Sequence, residues 1–224
     1  MSEPLPLLWC DEDLVVVDKP SGMLVHRGWD RDPVVAMTAV RDQLGRHVFP
    51  VHRLDRGTSG VLAFALSSEM AAPLHRQFEE GAVRKVYLAL VRGVPPEQGV
   101  IDHPVPRAEE GPKVEAVTEY RRLFAGERFS LVEAMPRTGR LHQIRRHLKH
   151  LGHPLVGDVN YGRGEINRLF RERYGLRRLA LHARSLELGH PRTGERLRFQ
   201  APVPADLCGA LRELGCPEGH WARA

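Results

Sequence analysis

The chain has 224 residues, of which 42% are hydrophobic, and carries a formal charge of +5 at pH 7. This length suffices for a substantial core, and we expect one catalytic domain over residues 1–224, although two closely packed halves would also fit. The three cysteines include no C-x-x-C pair, and no apolar run approaches the roughly 20 residues of a membrane span. Disulfide-rich and membrane-spanning classes are therefore excluded. The N-terminus lacks the pattern of a signal peptide, so we expect a cytoplasmic protein.

The basic residues are mostly arginines, because only four of the 33 are lysines. Arginine binds phosphate in a planar, bidentate way, so this excess favours an RNA partner. Drift in a GC-rich genome would produce the same composition. Of the 12 histidines, four lie close together in the sequence, namely His142, His147, His150 and His153. They form no H-E-x-x-H motif and have no cysteine nearby, so we expect no metal site.

In chain order, the patterns predict alternating strands and helices. A β-branched strand is expected over 14–18, a helix over 34–44 that ends at Gly45, and a fully buried strand over 61–66. A helix capped by Ser67 or Ser68 follows and ends before Gly81. Further strands are expected over 83–91, 118–124, 129–134, 186–190 and 196–200. Together these elements predict a mixed α+β fold with a mostly antiparallel central sheet and flanking helices.

Two further segments, 95–112 and the stretch from Leu141 to Gly152, are predicted from their composition and apolar spacing. The stretch 95–112 is rich in Pro, Gly and acidic residues and is predicted to be a surface excursion. From Leu141 onward, the spacing of apolar residues predicts a helix that ends at Gly152, with Thr138 and Gly139 at its opening. The amides at such a helix start would favour a phosphate.

The run 52–60, HRLDRGTSG, concentrates the first set of candidate functional residues. Asp55 lies between Arg53 and Arg56, and we expect its carboxylate to stay ionised because nearby positive charge favours the charged form. The small residues that follow allow a ligand or another backbone to approach closely. The alternative is an exposed Arg-Asp-Arg surface turn.

The run 137–148, RTGRLHQIRRHL, is the second charged concentration. Helical projection places Arg145 beside the apolar stripe, while Arg146 and Lys149 lie further out. A half-buried arginine needs an anionic partner, and we predict Asp55 in that role. The alternative is an amphipathic helix with a solvated basic face. Tyr87, in a predicted strand, is either ordinary packing or a ring able to stack on a base.

The motifs HRLDRGTSG (52–60), RKVYLALVRG (84–93) and TGRLHQIRRHLKHLGHPLVGD (138–158) resemble those of the RluA-type pseudouridine synthases, in the same order. This resemblance implies a pseudouridine synthase fold with an RNA-binding cleft. We expect no N-terminal S4 domain, because the opening strand is expected to begin within the first ten residues. It also implies an isomerase that converts uridine in RNA to pseudouridine without a cofactor or metal.

The resemblance also implies residue roles. Asp55 corresponds to the essential aspartate, Tyr87 to the base-stacking tyrosine and Arg145 to the partner arginine. Arg53 resembles the arginine that fills the space of the displaced base. We further predict RNA contacts from several other residues, which are His52, Arg56, Thr58, Arg140 and Arg146.

Within the family, the segments 22–32 and 40–49, and Arg146 in the third motif, favour a branch that modifies uridine 65 of tRNA. A uridine of large-subunit ribosomal RNA is the alternative target, and a non-catalytic RNA-binding protein is the alternative function. A metal-dependent hydrolase built on the histidines is a third alternative. The sequence leaves open whether Asp55 attacks the sugar or removes a C2′ proton. A monomer is expected by default, and residues 208–224 either contact RNA or pack on the sheet.

Overall fold

The structure is a computed structural model and describes residues 4–27, 34–108 and 111–222. Segment 22–32, which contributed to the family resemblance, lies partly outside the described residues. The elements, in chain order, are β1 (Leu7–Cys10), β2 (Leu14–Lys19), α1 (Ala36–Leu44), β3 (Phe49–Pro50), β4 (Ser59–Ala65), α2 (Ser68–Glu79), β5 (Arg84–Arg92), β6 (Gln98–Asp102), β7 (Val105–Pro106), β8 (Lys113–Val114), β9 (Val117–Ala125), β10 (Phe129–Pro136), α3 (Gln143–His150), α4 (Gly164–Arg173), β11 (Leu181–Gly189), β12 (Arg196–Gln200), α5 (Ala205–Glu213) and a 3-10 turn (Glu218–His220).

The chain forms two compact units, the first made of Met1–Arg84 and Ala183–Ala201. In this unit β2 pairs antiparallel with both β1 and β4, β3 pairs with β4, and β11 pairs with β12. Every residue of β4 is buried, as expected for a continuous apolar run. The N-cap Ser67 accepts a hydrogen bond from the amide of Met70 and starts α2. Apolar residues of β2, β4, α2 and β11 form the core of this unit.

The second unit comprises Lys85–His182 and Pro202–Ala224. Its strands pair antiparallel in the order β5, β10, β9, β6, and β7 pairs with β8. Two apolar clusters fill it. One includes α5 and the buried residues Cys216 and Trp221, and the other includes Ile144 and Leu148 of α3. The C-terminal segment therefore packs into the core of this unit.

The predicted mixed α+β class with mostly antiparallel pairing is confirmed. The expectation of one domain over 1–224 stays a prediction. No helix among the described ranges is long and apolar enough to cross a membrane.

The predicted surface excursion over 95–112 contains a strand that the sequence analysis did not predict. Residues Gln98–Asp102 form β6, which pairs with β9 along its length. Ile101 is the single buried residue of β6, and Val100 is 60% exposed. Backbone pairing rather than an apolar pattern holds this edge strand, so little periodicity marks it in the sequence.

The third-motif helix was predicted from Leu141 onward, and α3 begins two residues later, at Gln143. The prediction that Thr138 and Gly139 open this helix was wrong. The hydroxyl of Thr138 instead accepts from the amide of Val117 in β9 (3.1 Å) and donates to Oε1 of Gln143 (2.7 Å). His142, immediately before the helix, adopts a left-handed conformation with φ of 53°. The expected phosphate site at a helix start on residues 138–139 is therefore not formed there.

Candidate functional site

The HRLDRGTSG motif lies in the first unit, mostly in the loop between β3 and β4. The carbonyl of Asp55 accepts a hydrogen bond from the amide of Thr58 (3.0 Å), which closes a tight turn. Asp55 is half-buried, Thr58 is buried, and Arg53 and Arg56 are exposed. The motif thus presents two arginines to solvent on either side of a partly shielded carboxylate.

Lys19, at the end of β2, anchors this loop through its buried side chain. Its side chain is fully buried, and Nζ donates to the carbonyl oxygens of Pro20 (2.9 Å), Met23 (2.8 Å) and Arg56 (3.4 Å). A buried ammonium is tolerated only with such partners. Because one carbonyl belongs to Arg56, the residue after Asp55, Lys19 ties the Asp55 turn to the loop after β2. Sequence analysis missed this role.

His52 connects the start of the motif to β4. Its Nε2 accepts from the amide of Ala63 (3.0 Å), and its ring stacks on Phe78 of α2 with centroids 4.7 Å apart. These contacts give His52 a part in the packing of the first unit. The expected RNA contact of His52 stays a prediction.

Tyr87 and Lys85 lie on the same side of β5, in the second unit. Tyr87 is half-buried and packs against the apolar cluster that contains Ile144 and Leu148 of α3. Nζ of Lys85 donates to the carbonyl of Thr138 (3.2 Å), so β5 is bonded to the third motif. Burial, with a further contribution from the charge of Arg140, lowers the pKa of the Lys85 ammonium to about 8.

Arg145, on α3, makes a buried bidentate ion pair with Asp158. Nε donates to Oδ2 (2.7 Å) and Nη2 to Oδ1 (2.9 Å), and the two side chains are 8% and 0% exposed. Burial alone would raise the pKa of the Asp158 carboxyl, but hydrogen bonds from Arg145 and from the Tyr161 amide outweigh it and lower that pKa. Asp55 had been predicted as the anion that Arg145 needs. Within the second unit Asp158 is an anionic partner of Arg145 that the sequence analysis did not name. The pairing of Arg145 with Asp55 stays a prediction.

Asp158 also organises the turn that follows it. Its Oδ1 accepts from the amides of Asn160 and Tyr161, both at 3.0 Å, and its carbonyl accepts from the side chain of Asn167. The turn brings the Tyr161 ring to α3. Nε of Arg146 donates to the Tyr161 hydroxyl (2.8 Å), and Nη1 donates to the carbonyl of Pro106 (3.2 Å).

Gln143 and His147 anchor α3 to β9. Nε2 of Gln143 donates to the hydroxyl of Thr118 (3.0 Å), which lies 2.9 Å from Nδ1 of His147. Nε2 of His147 lies 2.9 Å from the carbonyl of His103 and must donate to it, since a carbonyl only accepts. Arg140 is exposed, and its Nε donates to the carbonyl of Glu115 (3.2 Å).

The histidines considered for a metal site have other contacts in the second unit. His147 is fully buried in the network just described, His150 stacks on His103, and Nδ1 of His153 lies 3.0 Å from the carbonyl of Arg92. Within the described residues there is no group of three or more side chains suited to hold a metal ion.

The candidate residues thus fall into two sets. The first unit brings together His52, Arg53, Asp55, Arg56 and Thr58 in one loop, and the second unit holds Tyr87, Arg140, Arg145 and Arg146. Asp158 lies at the end of 152–158, a segment rich in turn-forming residues that follows α3. This position is the sequence signal that could have identified it. The partners of Lys19 had no sequence signal.

Comparison with known proteins gives consistent matches. The RNA pseudouridylate synthase family matches residues 13–150. A protein named tRNA pseudouridine synthase C from Vibrio cholerae is 44% identical, with 96% of this chain and 97% of that protein covered. One of the same name from Salmonella typhimurium is 46% identical, with 94% and 90% covered.

A solved structure is also similar along nearly the whole chain. It is that of human RNA pseudouridylate synthase domain containing 4, with a TM-score of 0.76 and 30% identity, covering 94% of this chain and 93% of that one.

Proposed function

The chain belongs to the RNA pseudouridylate synthase family and is an isomerase, and from this premise we propose that it converts a uridine of tRNA to pseudouridine. The observation that carries the proposal is the likeness, over nearly the whole chain, to proteins named for activity on tRNA. The target we propose is uridine 65, supported by the segments and by Arg146 that resemble the branch acting there. We further propose that the enzyme works in the cytoplasm as a monomer.

We propose Asp55 as the catalytic carboxylate. The reaction breaks the bond between N1 of uracil and C1′ of ribose, turns the base, and joins C5 to C1′. The proton on C5 is lost and N1 gains one, so no external oxidant or reductant is needed. Asp55 either attacks C1′ or removes a C2′ proton, and both routes require an oriented, ionised carboxylate. The turn held by Lys19 supports such an orientation.

In this proposal the remaining residues stabilise the extruded base and bind the RNA. Taking a base out of its stack costs a few kcal/mol. Tyr87 stacks on the uracil, which contributes about 1–3 kcal/mol for a base–aromatic contact, and Arg53 fills the vacated space. Arg145 has the role of the family's partner arginine, while His52, Arg56, Thr58, Arg140 and Arg146 serve RNA binding. The half-buried setting of Tyr87 and the burial of Arg145 are consistent with these roles.

The direct test replaces Asp55 and follows pseudouridine formation in a tRNA transcript. We expect Asp55→Asn to retain tRNA binding and to lose turnover by at least about 10³-fold, as for an essential catalytic group. The matched control is Asp42→Asn, an exposed aspartate of the same unit that pairs with Arg41, and it should keep wild-type turnover. Appreciable turnover by Asp55→Asn would contradict the assigned role.

The target is tested by mapping pseudouridines in the RNA of a strain that lacks the gene. We expect the modification to disappear from position 65 of tRNA and to persist in ribosomal RNA. Loss from large-subunit ribosomal RNA instead would contradict the tRNA assignment while leaving the reaction class intact.

A further inference from the structure

Three cationic side chains surround the ring of Tyr161. The guanidinium carbons of Arg145 and Arg146 lie 5.1 and 5.6 Å from the ring centroid, and Nζ of Lys149 lies 5.5 Å from it. A cation over an aromatic face is attracted by the ring quadrupole, so the ring offsets part of the repulsion among these charges. The cluster lies wholly in the second unit.

The three positively charged side chains differ in their hydrogen-bond and ion-pair partners. Arg145 is paired with Asp158. Arg146 donates to two uncharged acceptors, the Tyr161 hydroxyl and the Pro106 carbonyl. In the part of the chain that the structure describes, neither Arg146 nor Lys149 has a carboxylate partner.

Some other arginines do have such partners. Arg121 pairs with Glu133, Arg196 with Glu187, and Arg178 with Asp206. On α3, by contrast, the two positive charges of Arg146 and Lys149 are held close to one ring, and among the described residues no carboxylate lies between them.

The geometry of α3 places both charges on one side. Arg146 and Lys149 are three residues apart, so they are neighbours on the helix surface. Lys149 is exposed and Arg146 is partly exposed. Arg146 uses Nε and Nη1 for the protein, which fixes the plane of its guanidinium and leaves its other N–H donors for a ligand.

We propose that Arg146, Lys149 and Tyr161 form a binding site for one phosphate group of the RNA backbone. This inference rests on the proposed function and deepens it, because it assigns Arg146 to the phosphate and adds two residues. A phosphate takes the counterion position between the guanidinium and the ammonium, and both are strong donors to phosphate oxygens. Tyr161 is a positioning residue that orients Arg146.

The test is the salt dependence of tRNA affinity, measured in the Asp55→Asn background so that the substrate is not consumed. Each phosphate contact contributes roughly 0.9 to the slope of log affinity against log salt concentration on a duplex. We expect Arg146→Met and Lys149→Met each to reduce this slope by about one contact. Lys113→Met removes one charge from an exposed lysine of the same unit and should leave the slope unchanged.

Two further variants separate positioning from charge. Arg146→Lys retains the charge but cannot contact both Tyr161 and Pro106 in the same way, so we expect weaker binding with the slope retained. Tyr161→Phe keeps the ring and loses the hydroxyl, and the same result is expected.

Unchanged slopes in Arg146→Met and Lys149→Met would overturn the site, as would an equal loss in Lys113→Met. These outcomes are distinct from failure of the proposed function. That failure would appear as wild-type protein that forms no pseudouridine in tRNA, whatever the slopes of the variants.

Discussion

At Arg145 a guanidinium is almost completely removed from water, and such a charge is strongly destabilising unless it is paired. Asp158 satisfies it with two short hydrogen bonds. The pair is weak evidence for net stability, because the cost of desolvating two charges offsets their attraction. The pair acts on geometry, because the bidentate contact fixes the plane of the guanidinium.

We therefore expect Asp158→Asn to destabilise the protein by about 3–5 kcal/mol, the cost of breaking a buried ion pair by removing one of its charges. The matched control is Glu218→Gln. Glu218 also pairs with an arginine, Arg212 (2.7 Å), but the two side chains are 60% and 59% exposed. Water compensates there, so the loss should be about 1 kcal/mol or less. Urea unfolding measures both, and equal losses would contradict the role given to burial.

At the scale of elements, α3 is held on β9 by a chain of polar contacts as well as by apolar packing. The amide of Gln143, the hydroxyl of Thr118 and the imidazole of His147 form this chain, and all three side chains are buried. Such a network holds one register of helix on strand only while every member keeps its partner. Nε2 of His147 donates to the His103 carbonyl, so in the neutral ring Nδ1 is the acceptor for the Thr118 hydroxyl. Protonation of the ring removes that acceptor, so the network in this form requires a neutral His147.

This requirement predicts a loss of stability in acid. Burial lowers the pKa of the His147 imidazole, an effect that the hydrogen bond to the His103 carbonyl only partly opposes. The unfolded chain then binds the proton first as pH falls, near the ordinary histidine value of about 6.5. The stabilisation is fully present above that pH and decreases below it.

We expect the unfolding free energy of the wild type to fall from pH 7.5 to pH 5, relative to His147→Gln, which does not titrate. Gln143→Ala breaks the same network without removing the titrating group and should keep the wild-type pH slope. Identical pH profiles for the wild type and His147→Gln would contradict this account.

At the scale of the whole molecule, the candidate residues are divided between two units with separate cores. In each unit a glycine with positive φ lies in or next to a segment that carries candidate residues. A side chain on Gly60, at the end of the first motif, would collide with the carbonyl of Ala183. One on Gly157, before Asp158, would collide with the carbonyl of Arg178.

We expect Gly60→Ala and Gly157→Ala each to reduce the unfolding free energy by at least about 3 kcal/mol, since backbone strain and overpacking add. Gly164→Ala is the control. It lies at the start of α4, where an added Cβ meets nothing within 4 Å, and alanine there should be neutral or slightly stabilising. Denaturant titration of the three variants measures this, and tolerance of Gly60→Ala would contradict the packing described.

The sequence predicts most elements because each has an apolar pattern of its own. The fully buried β4 and the amphipathic α3 are examples, whereas β6 buries only Ile101 and leaves no pattern to detect. Among functional residues, local motifs identify Asp55 and Arg145 as candidates. The contact between Lys19 and Arg56 joins residues that are 37 positions apart in the chain, and no local sequence pattern predicts such a pair.

A single oxygen atom of Asp158 links the turn to the helix. Oδ1 accepts from Arg145 and from the amides of both Asn160 and Tyr161. The length of the segment 158–161 is therefore fixed as firmly as its composition, because an inserted residue would move those amides away from the oxygen. Attempts to graft or lengthen loops in this enzyme have to spare this segment, even where the residues exchanged are themselves exposed.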